Sequence, residues 1–222
     1  MTNNILKISP PWENYLTPQQ SAILLSSSTL INFHKGETII KQGFAASHIL
    51  YLQEGLVKLS LEEQEKTVVF KIISSGSFIG LMCSFVKRNF DFTATAIEEC
   101  TVRMIERSFF EQMIRANGNF AVHVVELMSF MTNKIVHDLV YIHNKNADGA
   151  ISTILLELSN IFQSNDFQMP FSRVELADTL GYSKESVISS LSTLQKDGII
   201  KVSGKKIKFL NTECLQLVAQ YG

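Results

Sequence analysis

Cysteine is scarce in this 222-residue chain, and where it occurs it is scattered. Cys83, Cys100 and Cys214 form no CxxC pair and no cluster, so a zinc knuckle and a cysteine-held iron–sulfur set are excluded. The three are expected to be reduced, mostly buried thiols. Long apolar runs are missing too, since no window holds the roughly 18 uninterrupted apolar residues of a membrane span. Residues 1–11 carry no basic stretch followed by an apolar one, so no secretory signal is read there. The expectation is a cytoplasmic protein with no membrane partner. No P-loop, GxGxxG, metal-spaced ligand cluster or Ser/His/Asp order stands out, which argues against an enzyme and against a resident metal or cofactor.

A surplus of charge is also lacking, the formal net charge being −1. That average hides a local patch. Between Lys184 and Lys208 stand six lysines (184, 196, 201, 205, 206 and 208) against only Glu185 and Asp197. The remainder is ordinary folded-protein material, 45% hydrophobic and 18% charged, and long enough for two small domains.

The texture changes along the chain. Thr17-Pro18-Gln19-Gln20 offers an N-cap hydroxyl, a proline at the first helical position and a glutamine three residues after the cap. Between about residues 30 and 106, short β-branched and aromatic runs alternate with turns at Gly36, Gly43, Gly55, Gly76 and Gly80. Strands are expected at 30–34, 38–41, 48–52, 56–61, 67–73, 92–97 and 101–105, a spacing that indicates an antiparallel sandwich or jelly roll.

The period then becomes helical. Ser108-Phe109-Phe110-Glu111 has the form of a capping box, and Asn117-Gly118 that of a stop with a left-handed glycine. From Phe120 to about His143 there is no glycine or proline. Val124, Met128, Met131, Ile135, Leu139 and Ile142 recur there at steps of three and four. That stripe fits either a core-packing helix or a dimer seam, and the helix's length favours the seam. Residues 144–148, ending in Gly149, read as a hinge, and 150–162 as a further helix.

Ser172-Arg173-Val174-Glu175 opens another helix as a capping box, with Ala177 and Leu180 inward and Gly181 as the turn. Ser183 caps a helix from Lys184 to Lys196, whose buried stripe is Val187, Leu191 and Leu194. Two short helices around a tight turn form a helix-turn-helix. Residues 199–202 and 207–210, joined through Ser203-Gly204-Lys205-Lys206, add a hairpin with a basic tip, a wing. The first turn of the second helix points Lys184, Glu185, Ser186 and Ser189 outward, and such side chains can read base edges in a major groove. Ser172, Arg173 and Ser183 at helix N-termini suit phosphates, and Lys205 and Lys206 add salt-sensitive attraction. Each also has a plainer role: the serines as caps, the lysines as solvated charge.

With these motifs in order, residues 15 to 215 resemble the CRP/FNR family of bacterial regulators. The likeness is carried by the run Phe33 to Gly43 (FHKGETIIKQG), the run Leu50 to Leu59 (LYLQEGLVKL), Gly76-Ser77-Phe78-Ile79-Gly80, and Arg173 through Phe209. It implies an α+β protein: an N-terminal cyclic-nucleotide-binding-like β-roll (jelly roll) over 1–118, a long dimerisation helix and hinge over 119–148, and a winged helix-turn-helix over 149–222. It also implies a homodimer on palindromic double-stranded DNA, with RNA polymerase as a further partner.

The effector pocket implied by the resemblance would involve Phe78, Gly80, Leu81, Met82, Cys83, Phe92, Thr93, Ile135 and Val136. Here the chain departs from cyclic-AMP-binding members. Leu81-Met82-Cys83-Ser84 lacks the ribose-binding glutamate, and Asn89-Phe90-Asp91-Phe92-Thr93 lacks the phosphate-binding Arg-Ser pair. Ile135 and Val136 stand where base-contacting hydroxyls are expected. An apolar lining with Asp91 nearby cannot hold a phosphodiester anion. The effector is therefore expected to be something other than cyclic AMP, or absent. Lys87-Arg88 reads as solvated loop charge. A haem would need an axial ligand, and His34, His48, His123, His137 and His143 all read as surface or satisfied histidines. Ser189 replaces an arginine common in the family, so the operator is expected to differ from familiar half-sites. The competing function is a ligand-binding module whose winged domain contacts proteins.

Overall fold

The computed structural model describes residues 12–64, 66–85, 89–143 and 145–222. Its helices are α1 (Pro18–Ser27), α2 (Leu81–Ser84), α3 (Arg107–Ala116), α4 (Gly118–His143), α5 (Ala147–Phe162), α6 (Arg173–Leu180), α7 (Lys184–Lys196) and α8 (Thr212–Tyr221). The strands are β1 (Ser28–Phe33), β2 (Thr38–Ile40), β3 (His48–Glu54), β4 (Leu56–Glu63), β5 (Lys66–Ser74), β6 (Ser77–Ile79), β7 (Thr93–Ala96), β8 (Cys100–Glu106), β9 (Asp166–Gln168), β10 (Ile200–Ser203) and β11 (Lys206–Phe209). The chain forms two compact units, one made of residues 1–57 and 72–134, the other of 58–71 and 135–222.

In the first unit, one four-stranded sheet has the order β1-β8-β3-β6, and its neighbouring strands run antiparallel. Elsewhere in this unit β2 and β7 pair antiparallel, Thr38 with Thr95 and Ile40 with Ala94. β3 buries four consecutive residues, Ile49 to Leu52, and so both its faces, whereas β8 buries Cys100, Val102 and Ile105 and β1 buries none; β-branched and aromatic residues suit such a packed, pleated surface. Trp12, Ile49, Tyr51, Phe78, Ile105, Phe110, Phe120 and Val124 share one core. Its rings meet edge-on or tilted, Trp12 to Tyr51 at 5.5 Å and Phe110 to Phe120 at 5.4 Å between centroids. Burying each such side chain contributes about 1.5–3 kcal/mol. Thr17 caps α1 with the full capping box that its sequence announces.

Two local expectations are corrected here. Ser108 does not cap α3: Glu106 holds the N-cap position without a side-chain bond, because β8 runs straight into the helix. The Arg107–Glu111 pair (2.7 Å) supports that first turn instead. Gly118 is not a left-handed stop but the first residue of α4, and Asn117 Oδ1 accepts from the Phe120 N–H at 3.1 Å.

The second unit buries Ile151, Leu155 and Leu158 of α5 together with Leu176, Val187, Leu191, Ile200, Ile207 and Leu215. Its hinge is shorter than the sequence suggests. Asn146 caps α5 by accepting from the Gly149 N–H at 2.9 Å, so Gly149 lies inside the first turn; Asn144 is outside the described residues. β9 joins β11 as a third strand, giving the sheet order β10-β11-β9.

Among the described residues, no helix is long and apolar enough to cross a membrane.

Candidate nucleic-acid interface

Local hydrogen bonding fixes both helices of the pair. The Glu175 N–H donates to Ser172 Oγ at 3.1 Å, and the Ser172 N–H donates to Glu175 Oε2 at 2.7 Å. At the second helix the Ser186 N–H donates to Ser183 Oγ at 3.0 Å. Between them Gly181 adopts φ +72°, and the Tyr182 N–H reaches the Ala177 carbonyl at 3.1 Å. A residue with a Cβ would cost about 1–2 kcal/mol in that left-handed conformation.

The α7 surface divides cleanly. Val187, Ser190, Leu191 and Leu194 are buried, while Lys184, Glu185, Ile188, Ser189 and Ser192 are exposed. Ser186 is only half-exposed, and its hydroxyl is engaged with Ser183 Oγ at 2.8 Å. Lys184, Glu185 and Ser189 thus face solvent, while the Ser186 hydroxyl is turned toward the cap.

Arg173 reaches the wing: its Nη2 donates to the Gly204 carbonyl at 3.1 Å, tying the start of α6 to the hairpin tip. The wing sheet buries Ile200, Ile207, Phe209 and Phe167 on one side. Alternation puts Lys201, Ser203, Lys206, Lys208 and Asp166 on the other, where they line a shallow groove. Lys201 and Lys208 are direct cross-strand partners, an unfavourable like-charge pairing that an anion would relieve. Lys206 pairs with Asp166 at 3.0 Å, so Lys205 is the less committed of the two tip lysines. In the sequence Lys201 and Lys208 count only toward the local surplus of lysine; alternation from Lys206 reaches Lys208, but Lys201 joins them only through the hairpin register that pairs it with Lys208.

A second feature was invisible in sequence. Within the second unit, residues 58–71 of the β4–β5 hairpin hold α6. Lys58 Nζ pairs with Glu175 Oε1, and the Val69 N–H donates to Thr179 Oγ1 at 3.0 Å. Burial pushes the Glu175 carboxyl up, but the bonds from Lys58 and Ser172 outweigh it and hold the pKa below the ordinary 4.5.

The residues expected around an effector fall in both units. Phe78, Gly80, Leu81, Phe92 and Thr93 are buried in the first, and Cys83 is half-buried. Gly80, at φ +83°, lies against the Phe90 ring, where a Cβ would come within 2.5 Å of Cε1. Ile135 and Val136 belong to the second unit, half-buried and exposed respectively. The Met82 side chain and Lys87-Arg88 lie outside the described residues. Among the described residues, no group of three His, Cys, Asp or Glu side chains is placed to hold a metal ion. Cys83, Cys100 and Cys214 form no disulfide with one another; Cys100 is buried and the other two are half-buried.

On α4, Val124 is taken up by the core of its own unit and Met128 packs against that core. Met131 and Ile135 are half-buried, and the side chains of Leu139 and Ile142 lie outside the described residues. The exposed valines are Val122, Val125, Val136 and Val140. At 3.6 residues per turn they fall within roughly 60° of one another, on a face turned away from Val124 and Met131.

Comparison with known proteins gives two family matches. Residues 30–117 match the cyclic nucleotide-binding domain, and residues 150–218 match the Crp-like helix-turn-helix domain. The chain is 26% identical over 187 residues to the transcriptional activator protein FnrA of Stutzerimonas stutzeri, covering 80% of this chain and 75% of that one. It is 25% identical over 216 residues to the anaerobic regulatory protein of Bacillus subtilis, covering 92% and 90%. Its fold is similar to the crystal structure of a CRP/FNR-family regulator from Eubacterium rectale, with a TM-score of 0.81 at 20% identity over 95% and 98% of the two chains.

Proposed function

Because the chain belongs to the CRP/FNR family of transcription regulators, we propose that it works as a homodimer whose two α7 helices read an inverted repeat in double-stranded DNA. The observation that carries this reading is the outward face of α7. It sets Lys184, Glu185 and Ser189 clear of the core, and the wing that Arg173 reaches carries four lysines, Lys201, Lys205, Lys206 and Lys208. A lysine can donate to guanine N7 and O6, and a glutamate can accept from the cytosine amino group. Phosphates would meet the N-termini of α6 and α7 at Ser172, Arg173 and Ser183, and the tip lysines Lys205 and Lys206.

Dimer formation falls to the exposed stripe of α4. Val122, Val125, Ser129, Val136 and Val140 are spaced by three, four, seven and four residues, which keeps them on one helix face, and the apolar surface of the valines is uncovered in one chain. The first unit serves as a sensor for an effector other than cyclic AMP, or as a scaffold with no effector. The buried, apolar Leu81 and Phe92 offer a phosphodiester no charged partner. As an activator or a repressor, such a dimer would have RNA polymerase as its further partner.

Fluorescence anisotropy of the full chain on a labelled duplex, at a series of salt concentrations, tests the reading. Affinity should fall linearly on a log–log plot. Replacing Lys205 and Lys206 by glutamine should reduce the slope by roughly 1.8, about 0.9 for each lost phosphate contact. A wild-type slope near zero, or an unchanged slope in the double variant, would contradict it.

A further inference from the structure

On the outward face of α7 one side chain breaks the polar pattern. Ile188 is 47% exposed, while Glu185, Ser189 and Ser192 around it are polar. The core does not need it, since Val187, Leu191 and Leu194 supply the buried stripe. The helix does not favour it either, because a β-branched side chain loses χ1 freedom in a helix. Leaving it in water forgoes the stabilisation that burial would bring. Fold and helix stability therefore give no reason for isoleucine at this position.

The surroundings show what it is suited to. Ser189 and Ser192 are short, so the helix surface is low on that side of Ile188, while Lys184 and Glu185 flank it one turn earlier. On its low side the isoleucine can seat closely in a groove. In a major groove the polar edges of bases are donors and acceptors, and the apolar group displayed there is the 5-methyl of thymine.

We propose that Ile188 is a specificity residue that reads a thymine 5-methyl group; this rests on the reading that α7 enters a major groove. The selection works in two directions. A methyl opposite Ile188 loses water favourably, whereas a cytosine amino group or purine N7 placed there would be desolvated with no partner. Ile188 lies three residues beyond Glu185, a rise of about 4.5 Å at 1.5 Å per residue. One base step is about 3.4 Å along a strand, so the thymine falls roughly one base pair from the pair that Glu185 reads.

The test starts from duplexes that the full-length protein selects from a random pool. Each thymine of the half-site is replaced in turn by deoxyuridine, which removes the methyl and nothing else. One thymine per half-site should show a three- to five-fold loss of affinity, compounding to about ten-fold or more when both halves are changed. Ile188→Ala should bind the thymine and uracil duplexes equally, and Ile188→Val should keep most of the discrimination. Both substitutions fall at the same exposed position, and unfolding midpoints equal to wild type would show that the variants are folded. The proposal is overturned if no methyl removal is felt, or if Ile188→Ala still distinguishes thymine from uracil; Ile188 is then a surface for protein contact or none. A protein that selects DNA but ignores the methyl loses this assignment alone. A protein that selects no DNA loses the regulator reading with it.

Discussion

Glu175 carries two duties with one carboxylate. One oxygen accepts from the Ser172 backbone and closes the capping box of α6, and the other pairs with Lys58 of the β4–β5 hairpin. Glutamine at the same place keeps the box and loses the ion pair. Glu175→Gln should therefore lower stability at neutral pH by about 1.5–3 kcal/mol, the scale of a hydrogen bond to a charged group. The pH dependence has a definite sign. The folded pKa lies below the unfolded 4.5, so the contribution is fully present above pH 4.5 and is lost as pH falls toward the folded value. Urea unfolding of both proteins from pH 7 down to pH 3 should show the stability gap closing below pH 4.5. A gap that stays constant across that range would remove the ion pair from the account. At this scale the caps were legible: Ser172 and Thr17 announce themselves through a Glu or Gln three positions on, and Ser183 as the hydroxyl two residues after the turn glycine. Lys58 was not, because its partner lies 117 residues along the chain. Ile188 was missed because periodicity marks which residues are buried and says little about an apolar one left outside.

Elements were readable where one force dominates. The long helix could be placed from its lack of glycine and proline, yet α4 carries apolar residues on more than one side. Periodicity drew attention to Val124, Met128 and Ile135, whereas the uncovered face in the structure runs through Val122, Val125, Val136 and Val140. Two apolar stripes on one helix are what a residue pattern cannot rank, since the choice depends on what each side packs against. If the exposed stripe is the seam, Val125→Glu with Val136→Glu should convert a dimer to a monomer in sedimentation equilibrium. Burying four opposed carboxylates across a two-fold seam is far costlier than exposing them. The helix should keep its circular dichroism, because both positions are exposed in one chain. A double variant that remains dimeric would move the seam elsewhere. The sequence reads residues 164–171 as a polar turn closing on a short extended piece at Pro170, whereas the strand β9 lies just before it at Asp166–Gln168, where only Phe167 is apolar. α8 went unread although Asn211 caps it, the Cys214 N–H donating to Asn211 Oδ1 at 3.0 Å.

For the whole molecule, the order of motifs was more informative than any motif alone. A roll of short strands, a long helix and a winged helix pair in succession point to one architecture, and the family matches over residues 30–117 and 150–218 agree. What the sequence left dark is long-range: the hairpin that holds α6, and the membership of residues 58–71 in the second unit. These arise from pairings between distant segments, on which local propensity and periodicity are silent. The regulator reading stands on α7 entering DNA as one of a symmetric pair. Selection from a pool of random duplexes by the full-length protein, with and without cell extract, measures that directly. The account predicts an enriched inverted repeat whose half-site centres lie about 10–10.5 base pairs, roughly 34 Å, apart. A pool that stays random under both conditions would contradict it.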